Sequence, residues 1–144
     1  MEQIGAVIAT VTASAVIAAT PDQVWNALRD TGNVHHRLLP GYVTDTRVDG
    51  DTRYLSMPGG YVIREHIVTV DDETRRLAYS ATDGFRLPIT HHHAAFQVFA
   101  EPDGRARLVW ITDVLPHAAA DEARLRIERG LQVIRETIEQ AATA

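Results

Sequence analysis

The chain has no cysteine, and that single absence removes disulfides, thiolate nucleophiles and thiolate-ligated zinc together. It also has no lysine. Its 14 basic residues are all arginine, spread thinly from Arg29 to Arg135, against 19 acidic residues and a formal net charge of -5. Without a concentrated basic stripe there is little to neutralise phosphates, so neither nucleic acid nor an anionic membrane surface is an expected partner. No apolar run is long enough to span a bilayer. The run from Ile4 to Ala19 approaches a secretory leader in composition, but Glu2 stands where a leader carries Lys or Arg, and Thr10, Thr12 and Ser14 interrupt it. It is read as a strand, and the missing cysteines fit a reducing cytoplasm. No Gly-rich phosphate loop opens a helix and no serine sits in a nucleophile elbow, which argues against nucleotide-dependent and covalent serine chemistry. What remains is an ordinary globular composition, 45% hydrophobic and 23% charged over 144 residues, enough for one domain with a real core.

Local signals set the order of elements. Val7, Ile8, Val11, Val16 and Ile17 mark a first strand within Ala6 to Ala19, with an interruption expected near Ala13. Thr20 and Gln23 form a capping box with Pro21 at the first helical position, predicting a helix of about ten residues that turns Val24, Trp25 and Leu28 inward. Asp30, Thr31 and Gly32 end it, and a second short helix through Val34, His35, Leu38 and Leu39 stops at Pro40 and Gly41. From Val43 to Leu115, strand patterns alternate with turns such as Pro58-Gly59-Gly60, Asp83-Gly84 and Pro102-Asp103-Gly104, giving a meander of about six strands. The last segment, from about Ala118 to Ala142, is helical, with Ile127, Leu131, Ile134, Ile138 and Ala141 on one stripe. Gly130 lies beside that stripe, where glycine costs about 1 kcal/mol relative to alanine, so a close crossing over the sheet or a bend is expected there.

That order resembles the START-like helix-grip (SRPBCC) superfamily, in its polyketide cyclase/dehydrase-like branch. The residues that carry the resemblance are Ala19-Thr20-Pro21-Asp22-Gln23-Val24-Trp25, Leu39-Pro40-Gly41, Gly59-Gly60 with Arg64-Glu65, and Val70-Asp71-Asp72 with Leu77-Ala78-Tyr79. Leu87-Pro88-Ile89, Val109-Trp110 and Arg129-Gly130-Leu131 complete the series over nearly the whole chain. The resemblance implies an α+β helix-grip fold: a curved antiparallel sheet of about seven strands around a long C-terminal helix, with two short helices after strand one and an apolar cavity between. Where many relatives carry a tryptophan before Leu-Pro-Gly, this chain has His35-His36-Arg37, which implies a more polar cavity mouth.

Strand periodicity assigns faces to that cavity. In the last strand Ala106, Leu108, Trp110, Thr112 and Val114 share the face opposite the arginines, so Trp110 points inward. Leu77, Tyr79 and Ala81 share another inner face, and the Tyr79 hydroxyl needs a partner there. If Phe96 and Val98 face in, His92 does too, leaving His91 and His93 outside. A three-residue turn at Pro58-Gly59-Gly60 sets Met57 opposite Tyr61, Leu55 opposite Ile63, and Arg53 opposite Glu65 as a cross-strand ion pair. A zinc site would need His91 and His93 with His35, His36, His66 or His117. Their outward face and the lack of an adjacent carboxylate in sequence speak against it, so neither metal nor cofactor is expected.

Two functions compete. A cyclase or dehydrase-like enzyme would orient a reactive, largely apolar substrate away from water, with His92, Glu65 and Tyr79 as candidate proton-transfer groups. A binding module would shelter an aromatic, polyketide-like or lipid molecule against Trp25, Arg53, Leu55, Tyr61, Phe96 and Trp110. Convergent polar groups near their working pKa favour the first, and an apolar lining with one anchor favours the second. A third reading, a protein-interaction or chaperone-activator domain, predicts a collapsed cavity. Homodimerisation stays open.

Overall fold

The computed structural model describes residues 6–144. The leader question at Glu2 and Ile4 lies outside the described residues. Seven strands form one antiparallel sheet in the order β1-β7-β6-β5-β4-β3-β2. They are β1 (Thr10–Ile17), β2 (Asp45–Asp49), β3 (Thr52–Ser56), β4 (Val62–Asp71), β5 (Arg76–Asp83), β6 (His91–Ala100) and β7 (Ala106–Leu115). Helices α1 (Pro21–Arg29) and α2 (Val34–Arg37) fill the connection between β1 and β2, which lie on opposite edges of the sheet. A single 3-10 turn at His117–Ala119 leads into the long helix α3 (Ala120–Ala142). The helix-grip architecture is therefore the one expected, although β1 pairs with β7 without a break from Thr10 to Ile17, so the interruption near Ala13 does not occur.

The capping box forms as predicted. The Thr20 hydroxyl accepts from the Gln23 amide while the Gln23 side chain accepts from the Thr20 amide, which satisfies two donors that the first helical turn leaves open. Two register shifts in β4, between Arg64 and Glu65 and between Ile67 and Thr69, bend the sheet where it must turn around the helix. The concave face carries Leu77, Phe96, Val98, Leu108 and Val114, all buried in the core.

Helix α3 lays Ala123, Ile127, Gly130, Leu131, Ile134 and Ile138 on this face. The stripe then continues to Ala142, which packs against the core, and not to Ala141, which is exposed. Gly130 explains itself by proximity: a Cβ built there would lie 3.1 Å from Cζ3 and 3.3 Å from Cη2 of Trp110. The helix passes so close to the indole that a side chain at this position would fit only if Trp110 gave way by a few tenths of an ångström.

Replacing Gly130 with leucine should therefore cost about 1–3 kcal/mol by overpacking, even though leucine is the better helix former. Thermal unfolding followed by tryptophan fluorescence checks this, and a melting temperature equal to wild type would remove the close crossing as the reason for the glycine.

Candidate functional site

Between α3 and the concave face lies a cavity of about 610 Å³, within the range of small-molecule sites. Its sheet wall is an aromatic run. The Phe96 ring stacks on Trp110 with centroids 4.4 Å apart, and Tyr79 lies 6.1 Å from Phe96. The Trp110 indole N–H donates to the Tyr79 hydroxyl at 3.2 Å, which supplies the partner that the phenol required. Burial, with the negative charge of Glu65 second, holds the Tyr79 proton well above the ordinary phenol range.

The hairpin between β3 and β4 has the predicted register, with Arg53 opposite Glu65 and Leu55 opposite Ile63. Both charged residues are almost wholly buried, at 4% and 6% exposure. The Arg53 Nε and Nη2 both meet the same carboxylate oxygen, Glu65 Oε1, at 2.8 Å. Two atoms are left over. Arg53 Nη1 is buried without a hydrogen-bond partner, and Glu65 Oε2 has none among the described residues. Taking two charges out of water is costly, and this pair recovers the cost only through its short bonds.

Next along the sheet, Glu65 stands opposite Ala81, whose methyl group leaves the cavity open at that point. The Ala81 amide donates to Nδ1 of His92 at 2.9 Å. An imidazole nitrogen that accepts cannot carry the proton, so the neutral ring is the Nε2–H tautomer. Burial, joined by repulsion from His93 and His91, pushes His92 down to about 4. The Tyr79 and His92 rings are 5.7 Å apart, and the Arg53 Cζ is 5.5 Å from the Tyr79 centroid, so the three groups surround one stretch of the cavity.

Eight of the nine site residues expected from sequence line this cavity: Arg53, Leu55, Tyr61, Glu65 and Tyr79, with His92, Phe96 and Trp110. Trp25 does not. It is buried under α1, where its Nε1–H donates to Asp72 at 2.8 Å beside the Arg29 guanidinium, and so it fastens the helix to the β4–β5 turn. The polarity expected at the mouth from His35-His36-Arg37 is not supplied by those residues. His35 turns to Thr46 and Asp45 on β2, and Val34 of α2 with Leu38 and Leu39 just after it face the cavity instead. His91 and His93 pair opposite Leu115 and Asp113, off the face that lines the cavity.

Sequence reasoning missed two contributors. Strand periodicity turns Thr112 inward without pointing to a role, yet its hydroxyl is buried in the cavity wall without a partner. The β5–β6 connection supplies Phe85, Leu87 and Ile89, an alternating apolar pattern that could have been read as strand-like. Gly84 holds this connection down, because a Cβ there would fall 1.8 Å from the Val62 carbonyl oxygen. Arg86 lies over the Tyr61 ring at 4.0 Å, joining the connection to the β3–β4 hairpin. The opening lies among Tyr42, Leu125, Arg126 and Arg129, all exposed.

The family model described as polyketide cyclase/dehydrase and lipid transport matches residues 9–140. Among solved structures, the chain is similar to the protein XoxI from Bacillus cereus, with a TM-score of 0.79 at 23% identity, covering 94% of this chain and 96% of that one. It is also similar to norcoclaurine synthase from Thalictrum flavum in complex with dopamine and hydroxybenzaldehyde, at TM-score 0.67 and 18% identity over 92% of this chain and 84% of that one. A START superfamily protein from Mycobacterium smegmatis aligns at TM-score 0.71 and 11% identity, over 93% and 97% of the two chains. No curated protein matches.

Two outcomes follow from the buried groups. Arg53→Ala leaves the Glu65 carboxylate unpaired and should destabilise the protein by about 3–5 kcal/mol in urea unfolding, whereas Arg53→Met with Glu65→Leu should recover much of that loss. The depressed His92 value makes a second, acid-dependent one. Above pH 6.5 the ring is neutral folded and unfolded; below it, the unfolded chain takes up a proton that the folded state refuses. Stability should fall as pH drops from about 6.5 to about 4, by on the order of 2–3 kcal/mol, and His92→Gln should flatten that part of the profile.

Proposed function

Since the chain belongs to the polyketide cyclase/dehydrase and lipid transport family, we propose that it holds a small, largely apolar molecule, aromatic or polyketide-like, in the cavity under α3, and that it acts as a binding protein for that molecule. The observation that carries this reading is the state of the polar groups. His92 has Nδ1 committed to the Ala81 amide and stays neutral above about pH 4; Tyr79 keeps its proton; Arg53 and Glu65 are bonded to each other. Groups in those states make hydrogen bonds to a ligand far more readily than they exchange protons with it near neutrality. The Tyr79, Phe96 and Trp110 wall supplies flat apolar area for an aromatic body.

One observation favours an enzymatic reading. The unengaged Glu65 Oε2 and the His92 Nε2–H border the gap over Ala81, and a cyclase or dehydrase-like reaction would use the carboxylate as base with Tyr79 and His92 as donors. The norcoclaurine synthase structure, in complex with dopamine and hydroxybenzaldehyde, supports aromatic ligands of modest size for this fold. The open cavity removes the premise of a protein-interaction or chaperone-activator domain with a collapsed interior. No described helix is long and apolar enough to cross a membrane, and the absence of cysteine supports a cytoplasmic setting.

Native mass spectrometry of the purified protein, followed by calorimetric titration with naphthalene, tests the reading. Saturable one-to-one binding is expected. Ala81→Phe fills the gap between Glu65 and His92 and should weaken binding at least about tenfold while the far-ultraviolet circular dichroism is unchanged. A folded wild type that takes up neither naphthalene nor any co-purified molecule would overturn it.

A further inference from the structure

The unpaired hydrogen-bonding groups of the cavity are unequal in kind. Arg53 Nη1 and the Thr112 hydroxyl are buried and without partners, on side chains 4% and 3% exposed. The Ala81 amide fixes the tautomer of His92 so that Nε2 carries a proton, and Nε2 has no partner among the described residues. Tyr79 accepts from Trp110, which leaves its own proton to give. Against these donors stands one open acceptor of charge, Glu65 Oε2. Arg53, Tyr79 and His92 surround one stretch of the cavity, and Thr112 lines it from β7. Buried polar groups in folded proteins are ordinarily satisfied, so donors left open in an otherwise aromatic wall mark where ligand atoms complete them.

The charge of that stretch decides which atom. The Arg53 cation is already met by Glu65 at 2.8 Å, and the neutral imidazole and phenol add no charge. A ligand carboxylate placed there would lose its hydration, face Glu65 Oε2, and find no net positive charge in return. An uncharged carbonyl oxygen loses little on transfer and accepts two hydrogen bonds from donors already in place.

We infer that Arg53 Nη1, Thr112 Oγ1 and His92 Nε2 form a donor set that selects ligands bearing a neutral carbonyl, a ketone, aldehyde or quinone on an aromatic body, and discriminates against the corresponding carboxylates. This rests on the cavity being the binding site and goes beyond it by naming the functional group that is read. Thr112 and His92 act here as specificity-determining residues, and the Ala81 amide as the group that orients the imidazole.

The test uses three probes of one size: naphthalene, 2-acetylnaphthalene and 2-naphthoate, titrated calorimetrically into the full chain at pH 7.5. The ketone should bind at least about tenfold more tightly than naphthalene, the gain expected of one or two net hydrogen bonds, and the carboxylate no more tightly than naphthalene. Thr112→Val keeps shape and removes one donor, and should reduce the ketone's advantage, read as the ratio of ketone to naphthalene affinity in the same variant, by about threefold to tenfold. His92→Gln, read by the same ratio, supplies a second variant should the first perturb packing. In the wild type, ¹⁵N spectra should show a protonated Nε2 whose shift moves on adding the ketone and not on adding naphthalene. Naphthalene and ketone binding equally would overturn the donor set and leave the cavity reading intact. Preference for the carboxylate would overturn the charge argument, and binding by none of the three would overturn both readings.

Discussion

A helix can lie across a curved sheet in many ways, and what fixes this one is the close approach of α3 at Gly130 to the Cζ3 and Cη2 atoms of Trp110. The indole cannot retreat, because Phe96 stacks on one side of it and its N–H is spent on the Tyr79 hydroxyl. The helix is already close, since a Cβ at position 130 would come to 3.1 Å from the ring. With that height set, Ile127, Leu131 and Ile134 reach the wall on either side, and the space left toward β3, β4 and β5 is the cavity. The cavity is thus a consequence of where a rigid aromatic pair stops the helix, and small residues such as Ala81 keep it from being filled from below.

The buried ion pair has to be understood within the same geometry. Arg53 and Glu65 are cross-strand partners in the most local sense, brought together by a tight turn, so the chain positions them at small entropic cost. Their burial is not local. It depends on the sheet bending at the β4 register shifts and on α3 closing over the top. A hairpin that in isolation would display a surface ion pair worth less than about 1 kcal/mol becomes, under the helix, a polar element whose separation would be strongly unfavourable. Such a pair favours the one packing in which both charges are met.

How much of this could be read from the residues follows the range of the interactions. The capping box at Thr20, the hairpin register about Pro58-Gly59-Gly60 and the inner faces of β5, β6 and β7 rest on near neighbours in sequence, and each appeared as expected. Trp25 shows the limit. Helical periodicity establishes that its side chain turns inward but carries no information about what it meets, and the partner proved to be Asp72, at the turn between β4 and β5. His35 misleads for the same reason: a polar side chain on a short helix is drawn to whichever polar neighbour the fold supplies, here Thr46 and Asp45 across on β2. The lining from Phe85 to Ile89 was legible in its alternation but was obscured by its position after Asp83-Gly84, which reads as an ordinary turn. The role of Thr112 could not be read at all, since an unpartnered hydroxyl is a property of three-dimensional surroundings.

Environment, more than residue type, then decides what the polar groups can do. Histidine, glutamate and tyrosine together suggest acid–base catalysis when seen as letters, because each is a common proton carrier. Placed here, the imidazole has one nitrogen filled by a backbone amide, the phenol is buried beside a carboxylate that opposes its ionisation, and the carboxylate is doubly bonded by a guanidinium. Each of those constraints raises the free energy of moving a proton and lowers the cost of holding an oriented dipole, since a preset donor needs no reorganisation when an acceptor arrives. The same side chains could serve catalysis only if a bound molecule altered those constraints, for instance by drawing Arg53 Nη1 toward its own oxygen and weakening the hold on Glu65. Recognition and reaction at this site are therefore successive uses of one hydrogen-bond network, and recognition is the one that the unliganded network already has in place.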